Sequence, residues 1–370
     1  MIETDILIVG GGPAGATAGK YLSLSGIDNI IVQRKFDFKK PCGGGIRLDA
    51  FDEFNIDKNL IQKYITTIAL VYKEKRIAVD IKSRPIGIVD RVIFDSYLRD
   101  QAALSGSQLY EATFVSLEIF DDYIISKIKK NDEYIEIKSN YLIAADGVNS
   151  KIRKLINGDE VRASLTNYVD LTSTSCDICE FHFGQDVADK YYAWAFPHTS
   201  GANIGTLAGE DKNYILRLLK NMNIKEESKI QGYKIPHFID NIFYKDRVFF
   251  VGDSASQVLP FTYEGIYYAM SSAKILADVL INKELPEEYE KNWNKKYYIK
   301  FRTFFKLQNI FLRNDFMVNF MMIIYENRYI QQEMVKLWLG KREINFSFGF
   351  FYKVFLLVTR RLLKRFKYFH

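Results

Sequence analysis

The apolar positions of the chain fall into two periods. Ile6-Leu7-Ile8-Val9 and Ile30-Ile31-Val32 are unbroken apolar runs of the length of a buried strand, while Ala16, Ala18 and Tyr21-Leu22 between them follow a helical spacing. This predicts a βαβ unit over 3–35. The pattern continues as a loop and helix over 40–65, strands at 66–82 and 85–89, and a helix at 91–105. A hairpin over 110–139 with Asn131-Asp132 at its tip precedes a strand at 141–145. Strands from about 160 to 207 read as an antiparallel sheet. A strand at 247–251 and a helix at 263–283 follow. Residues 285–345 read as helical and aromatic-rich, with Tyr289, Trp293, Tyr297, Phe301, Phe304-Phe305 and Ile310-Phe311. Over 350–369, Phe351, Val354, Phe355, Val358, Leu362 and Phe366 share one helical face, and Lys353, Arg360, Lys364 and Lys367 the opposite one.

Charge sharpens that last feature. The chain of 370 residues carries a formal net charge of +6. Residues 341–370 hold eight basic side chains against Glu343, which leaves 43 basic and 44 acidic side chains in the rest. The body is therefore near neutral, which excludes a surface-wide nucleic-acid footprint. A hydrophobic content of 48% excludes disorder. Three cysteines cannot build a disulfide scaffold for this length, so a reducing, cytoplasmic compartment is expected. The apolar runs around 316–325 and 346–358 are shorter than the roughly 20 residues that span a bilayer, so no transmembrane helix is expected. The N-terminus lacks the layout of a signal peptide. A basic amphipathic tail of this kind suits an anionic membrane surface, and peripheral attachment is the expectation. A helix docked on the body is the alternative.

Chemistry begins where the first strand ends. Gly10, Gly12 and Gly15 form the G-x-G-x-x-G spacing, with Pro13 and Ala14 between the last two. Gly10 permits the tight turn, Gly12 lets the backbone approach a pyrophosphate, and Gly15 lets the helix pack close to the strand. The helix N-terminus faces the phosphates. With a strand before it, a helix after it and a second strand at the right distance, the spacing predicts dinucleotide binding. The acid expected at the end of the second strand is Gln33, followed by Arg34 and Lys35. A glutamine accepts a ribose hydrogen bond without charge assistance.

Two further strands end in glycine–aspartate pairs: Ile143-Ala-Ala-Asp146-Gly147 with Ser150 and Arg153 beyond, and Val248-Phe-Phe-Val-Gly252-Asp253 with Pro260, Glu264, Gly265 and Ile266 beyond. In this order and spacing the three segments resemble the flavoprotein monooxygenase and reductase superfamily with the para-hydroxybenzoate hydroxylase fold. Lys40-Pro41-Cys42-Gly43-Gly44-Gly45, Tyr192-Ala-Trp194-Ala-Phe196-Pro197 and Pro260-Phe-Thr-Tyr-Glu-Gly-Ile266 narrow the likeness. Over about residues 1–285 the chain resembles the geranylgeranyl reductase family, which includes digeranylgeranylglycerophospholipid reductases.

That resemblance implies an α/β fold: a Rossmann-like FAD-binding domain, an inserted antiparallel-sheet substrate domain of α+β character, and a helical C-terminus. The FAD-binding domain is then discontinuous, over 1–65, 90–155 and 240–285. The substrate domain takes 66–89 and 156–239, and the helical region 286–370. It implies that Asp253 bonds the ribityl or ribose part of FAD and that the N–H groups of Gly265 and Ile266 meet the flavin pyrimidine oxygen. Asp146-Gly147 would order the loop near the pyrophosphate. Arg91 would contact FAD from a helix start, and Val115 would lie beside the adenine. Tyr263 stands where that family usually has glycine.

The activity implied is hydride transfer from reduced FAD to an isolated isoprenoid double bond, on a prenyl lipid, quinone or diphosphate. An unpolarised alkene needs its proton nearly in step with hydride. The candidate donors are Cys42, Tyr192, His198 or water among them. Tyr192, Trp194 and Phe196 alternate along a strand and so share one face, which suits the wall of an apolar channel. No second G-x-G-x-x-G occurs, so electrons arrive from transiently bound NAD(P)H or from a reduced ferredoxin. A flavin monooxygenase or halogenase is the rival activity, and a non-catalytic flavin-binding module a third. Cys176-x-x-Cys179 lacks a second pair for zinc and reads as structural, and the four histidines form no metal spacing, so no metal site is expected.

Overall fold

The computed structural model describes residues 1–172, 176–225, 228–238 and 241–340. The basic amphipathic segment over 350–369 lies outside the described residues.

The chain opens with β1 (Ile2–Val9), α1 (Pro13–Leu24) and β2 (Asn29–Gln33). Next come β3 (Gly45–Arg47), α2 (Asp49–Glu53), β4 (Ile61–Ile65), β5 (Thr67–Tyr72), β6 (Lys75–Asp80), β7 (Ile86–Val89) and α3 (Arg91–Leu104). β8 (Gln108–Glu111), β9 (Thr113–Ile119), β10 (Ile124–Lys130) and β11 (Glu133–Ala144) lead to α4 (Lys151–Asn157). β12 (Ala163–Leu171), β13 (Cys179–His182), β14 (Ala193–His198), β15 (Gly201–Thr206), α5 (Asn213–Asn221) and β16 (Gln231–Pro236) follow. The last elements are β17 (Tyr244–Lys245), β18 (Val248–Phe250), α6 (Ile266–Ile281), α7 (Glu287–Phe311), α8 (Asp315–Ile324) and α9 (Arg328–Leu339).

The first sheet runs β17-β18-β11-β1-β2-β8, with β18, β11, β1, β2 and β8 mutually parallel. Strands that end together at one edge place their following turns together, which is where open α/β sheets bind ligands. The second sheet runs β16-β12-β15-β14-β13-β5-β6 and is antiparallel except for the β13–β5 pair. A small third sheet, β3-β7-β4, joins the segment after Gly44 to the segment before α3.

The sequence reading differs from the structure in three places. The segment 40–65, read as loop and helix, also carries the strands β3 and β4. The expected hairpin strand ending at 139 and the strand at 141–145 are a single element, β11. Its first half pairs with β10 and its second half with β1, and the two overlap at Ile137–Ser139. Asn140 does not break it, because its side chain points out and reaches Asp5 Oδ1 at 3.2 Å. Helix α6 begins at Ile266 rather than 263, after a loop in which Phe261 and Tyr263 hold positive φ of 69° and 53°.

The helices are anchored at their starts. Asp90 Oδ1 accepts from the N–H groups of Val92 and Ile93 at the head of α3, and Asn314 and Asn327 cap α8 and α9 in the same way. Three glutamates occupy the first turn of α7, where the helix dipole favours them. Its aromatics Trp293, Tyr297 and Phe301 are buried and pack edge-on against Tyr268 of α6. Among the described residues no helix is long and apolar enough to cross a membrane.

Candidate active site

The glycine turn after β1 is set by steric exclusion. Gly10 has φ of +107°, and a Cβ there would stand 2.2 Å from the Ala145 carbonyl oxygen. At Gly12, by contrast, an added Cβ meets nothing within 4 Å. Gly12 opens on a groove of about 1440 Å³ lined also by Gly10, Pro13, Ala14, Gln33, Arg34, Asp146, Gly147 and Asp253. The residues chosen from three separated segments therefore meet in one place.

Gln33 braces the turn itself. Its Oε1 accepts the Gly11 N–H at 2.8 Å, and its Nε2 donates to the Lys35 carbonyl at 3.0 Å. The second lone pair of Oε1 remains for a ribose hydroxyl. Arg99, which the sequence did not single out, donates to the carbonyls of Gly11 at 3.2 Å and Phe36 at 2.6 Å, and so ties the glycine turn to the loop after β2. Beside β9 the groove is lined by Ala112, Thr113 and Phe114, not by Val115.

A second cavity of about 1260 Å³ continues from the groove. Pro13, Lys40, Arg91, Tyr233, Asp253 and Ala269 line both. Asp253 is held by Lys40 at 2.6 Å. Burial works against the Lys40 ammonium, but the Asp253 carboxylate outweighs it and keeps the lysine charged. Arg91 is buried at the head of α3 and grips Asp95 through two bonds of 2.9 and 2.7 Å. Burial opposes its charge as well, and Asp95 with the neighbouring Cys42 thiol outweighs it.

These features fit FAD. Gly12 presents open backbone where a pyrophosphate would lie. Asp146 leaves Oδ1 buried without a partner while Oδ2 accepts from the Ile152 N–H at 3.2 Å, and burial raises its pKa. Gly265 and Ile266 begin α6, whose first N–H groups have no partner within the helix. They lie on the wall of the second cavity, where an isoalloxazine ring extending from the groove would place its pyrimidine end. Gly252 and Pro260 are buried behind this wall. The Gly252 N–H donates to Gln257 Oε1 at 2.8 Å, and Pro260 accepts from the Thr262 N–H at 2.8 Å, so both shape the loop.

The second cavity separates the candidate proton donors. Cys42 is exposed to it, with the Gly44 N–H 3.4 Å from its sulfur. Gly43 lets this loop lie on Phe196, where a Cβ would come within 2.3 Å of the ring. Tyr192 lines the cavity, but its hydroxyl donates to the Thr262 carbonyl at 2.8 Å, and burial pushes its pKa far up. The Trp194 indole N–H is likewise used, on Asn203 Oδ1 at 2.8 Å. Both act as walls. His198 is not on the cavity: it sits at the end of β14 beside Asp170 at 3.1 Å.

Three contributors were not visible in the sequence. Cys179, read as structural, is buried on the cavity wall, and burial pushes its thiol well up. Among the described residues no group of side chains could hold a metal ion. Gln308 of α7 accepts the Phe261 N–H at 2.7 Å and donates to the Tyr263 hydroxyl at 3.0 Å, which fixes both left-handed residues. Finally, an apolar chamber of about 680 Å³ adjoins the cavity, and Phe181, Tyr192, Thr262 and Trp338 line both. Its far walls are Phe304, Leu307 and Phe311 of α7, Met321 and Tyr325, and Met334 and Val335 of α9.

A dinucleotide groove that runs into a largely apolar cavity, beside a helix N-terminus, fits a FAD-dependent oxidoreductase of the para-hydroxybenzoate hydroxylase fold. A family model described as "FAD binding domain" matches residues 3–231, and the chain belongs to that family. Geranylgeranyl diphosphate reductase of Nicotiana tabacum chloroplasts is 28% identical over 377 residues, covering 91% of this chain and 81% of the relative. Digeranylgeranylglycerophospholipid reductase of Methanocaldococcus jannaschii is 26% identical over 337 residues, covering 83% and 86%. Among solved structures, a geranylgeranyl bacteriochlorophyll reductase-like protein of Thermoplasma acidophilum superposes with a TM-score of 0.69 at 20% identity, covering 91% of this chain and all of that one. The resemblance read from the sequence motifs is borne out.

Proposed function

We propose that the protein saturates isolated C=C bonds of a prenyl chain carried on a lipid, quinone or diphosphate. The observation that carries this reading is the apolar chamber behind the flavin cavity. A prenyl chain is long and wholly apolar, and a double bond in its middle reaches a flavin only if the rest of the chain has somewhere dry to go. Phe181, Tyr192, Thr262 and Trp338 line both spaces, so only side chains stand between the cavity and the chamber. The relatives' names support the same substrate class.

Reduced FAD supplies the hydride. The chain's residues do the rest: Trp194, Phe196 and Tyr192 exclude water and align the alkene, and Cys42 holds the proton for the second carbon at its sulfur. Hydride to one carbon and this proton to the other convert the double bond to CH–CH, and the thiol regains its proton from solvent. The two electrons come from NAD(P)H bound transiently, as hydride, or from two successive one-electron transfers by reduced ferredoxin. In an anaerobic single turnover, the pre-reduced protein is expected to reoxidise on addition of a prenyl lipid, with a product heavier by two hydrogens in mass spectrometry. Reoxidation only when oxygen enters, with an oxygenated product, overturns the reading in favour of the monooxygenase.

We infer further that the substrate is taken from an anionic lipid surface. Helix α7 presents its inner face to the apolar chamber, and its outer face carries Lys295, Arg302 and Lys306 around exposed Tyr298, Ile299 and Ile310. No acid occurs from Lys291 to Asn314. Bases over exposed apolar groups suit a headgroup layer, each adding about 1 kcal/mol near an anionic surface. A chain lacking 346–370 is expected to keep measurable, salt-sensitive binding to anionic liposomes. Complete loss would assign the contact to the tail alone.

A further inference from the structure

Behind the Gly265–Ile266 turn lies a group of buried polar side chains that the site as described does not use. Both carboxylate oxygens of Glu264 are shut off from solvent, and neither receives a well-formed hydrogen bond. The Tyr268 hydroxyl is also buried without a partner, and the Trp338 indole N–H faces the carboxylate as a weak donor.

Two cations face Glu264, and both are engaged elsewhere. Arg47 of β3 grips Asp49 through two bonds and donates to the Leu339 carbonyl. Lys300 of α7 donates to the carbonyls of Trp338 at 2.6 Å and Gly340 at 3.3 Å. Arg84 adds a longer bond of 3.4 Å to Leu339. Together they cap the end of α9, whose last carbonyls lack helical partners. The carboxyl is left among their fields without a bond from either. Burial disfavours the ionised carboxylate, and the two cations offset part of that cost. Burial raises the Glu264 pKa; Arg47, Lys300 and the Trp338 indole oppose the rise and Asp49 adds to it, with the net above the usual glutamate range.

Position gives this group a consequence. Glu264 directly precedes Gly265, the N-cap of α6. Reduction of a flavin by two electrons and one proton leaves a negative charge at its pyrimidine end, which the Gly265 and Ile266 N–H groups would meet. A second negative charge one residue away, in a low dielectric, opposes that reduction.

We propose that Glu264 is a charge-balancing positioning residue of the flavin site: its carboxylate takes up one solvent proton when the flavin is reduced and releases it on reoxidation. The balance is two electrons and two protons, one proton to the flavin and one to the Glu264 oxygen, with any two-electron donor as reductant. This rests on the FAD site and not on the prenyl reductase reading, and its test needs no substrate.

The test is the pH dependence of the midpoint potential of the bound flavin, by dithionite titration of the holoprotein and of Glu264→Gln. The range runs from about pH 5, above the ordinary glutamate value, to below the Lys300 value of about 8. The wild-type oxidised-to-reduced ratio is expected to shift hundredfold per pH unit in part of this range. The variant is expected to hold a tenfold shift throughout, which for two electrons is about 30 mV. Equal slopes overturn the proposal. Should the variant lose FAD, redox-difference infrared spectra of the wild type with carbon-13 glutamate decide the matter. A labelled protonated-carboxyl signal gained on reduction is expected; none on reduction overturns it.

Discussion

The dinucleotide groove and the second cavity adjoin, yet they are made of different things. The groove is mainly backbone: Gly10 turns where no side chain fits, Gly12 stays bare, and Gln33 and Arg99 spend their side chains on main-chain atoms. The cavity is mainly side chains brought from distant segments: Cys42, Cys179, Tyr192, Trp194 and Tyr263, braced by Gln308 and closed by α9. A site that binds a constant cofactor can be written in local turns. A site that selects a substrate is written in packing between elements far apart in the chain.

The comparison breaks most sharply at its two glycines. Gly10→Ala places a Cβ against the Ala145 carbonyl oxygen in a backbone conformation that disfavours side chains, so the folded state itself should suffer. Gly12→Val has room in the protein but fills the cofactor's approach. The first is expected to yield little folded protein. The second is expected to yield apoprotein that melts like wild-type apoprotein and retains under a tenth of the flavin per chain. Normal flavin content in Gly12→Val would remove the pyrophosphate from that position.

Within the cavity, Cys42→Ser should leave the flavin spectrum and content intact and lower the single-turnover rate on a prenyl substrate tenfold or more, in line with the loss of a general acid. Unchanged turnover would take the thiol out of the mechanism and leave a water held at the same wall.

How much of this was legible depends on whether the information is local. The βαβ start, the glycine turn after β1 and the two glycine–aspartate turns were readable, because a turn of that kind needs particular residues within a few positions of each other. Cys42 and the Tyr192–Phe196 wall were readable through the family's motifs. Lys40 was legible only as the first residue of the cysteine–glycine segment, and its role follows from Asp253, from the far end of the chain, 2.6 Å away. Cys179 sat in a C-x-x-C spacing that suggested metal or nothing; only the sheet order, with β13 between β14 and β5, brings it to the cavity. His198 failed for the opposite reason. It follows the wall motif directly in sequence, but at the end of β14 the chain has already left the cavity.

Gln308 tests how far the cavity depends on such distant bracing. Gln308→Leu keeps the volume and removes both the acceptor for the Phe261 N–H and the donor to Tyr263. Leaving a buried N–H unpaired costs about 1–3 kcal/mol. The melting temperature should fall by a few degrees, and KM for a prenyl substrate should rise more than kcat falls, since the loop shapes the wall and not the reacting groups. A fall in kcat alone would put Gln308 closer to the chemistry than its contacts indicate.

The smallest effect is the most discriminating. Tyr192→Phe removes one hydroxyl whose proton is already given to the Thr262 carbonyl. A single hydrogen bond contributes about 1 kcal/mol, and the phenyl ring still fills its place against Phe181 and Tyr263. Turnover should fall less than about threefold, with an unchanged pH profile, as expected of a wall that also ties down a loop. The same substitution in a proton donor would cost on the order of a hundredfold. Tyr192 and Cys42 are both close enough to the flavin cavity to have been candidates for one role. The ratio of their two losses on a prenyl substrate therefore measures whether the Cys42 thiol or the engaged hydroxyl carries the proton.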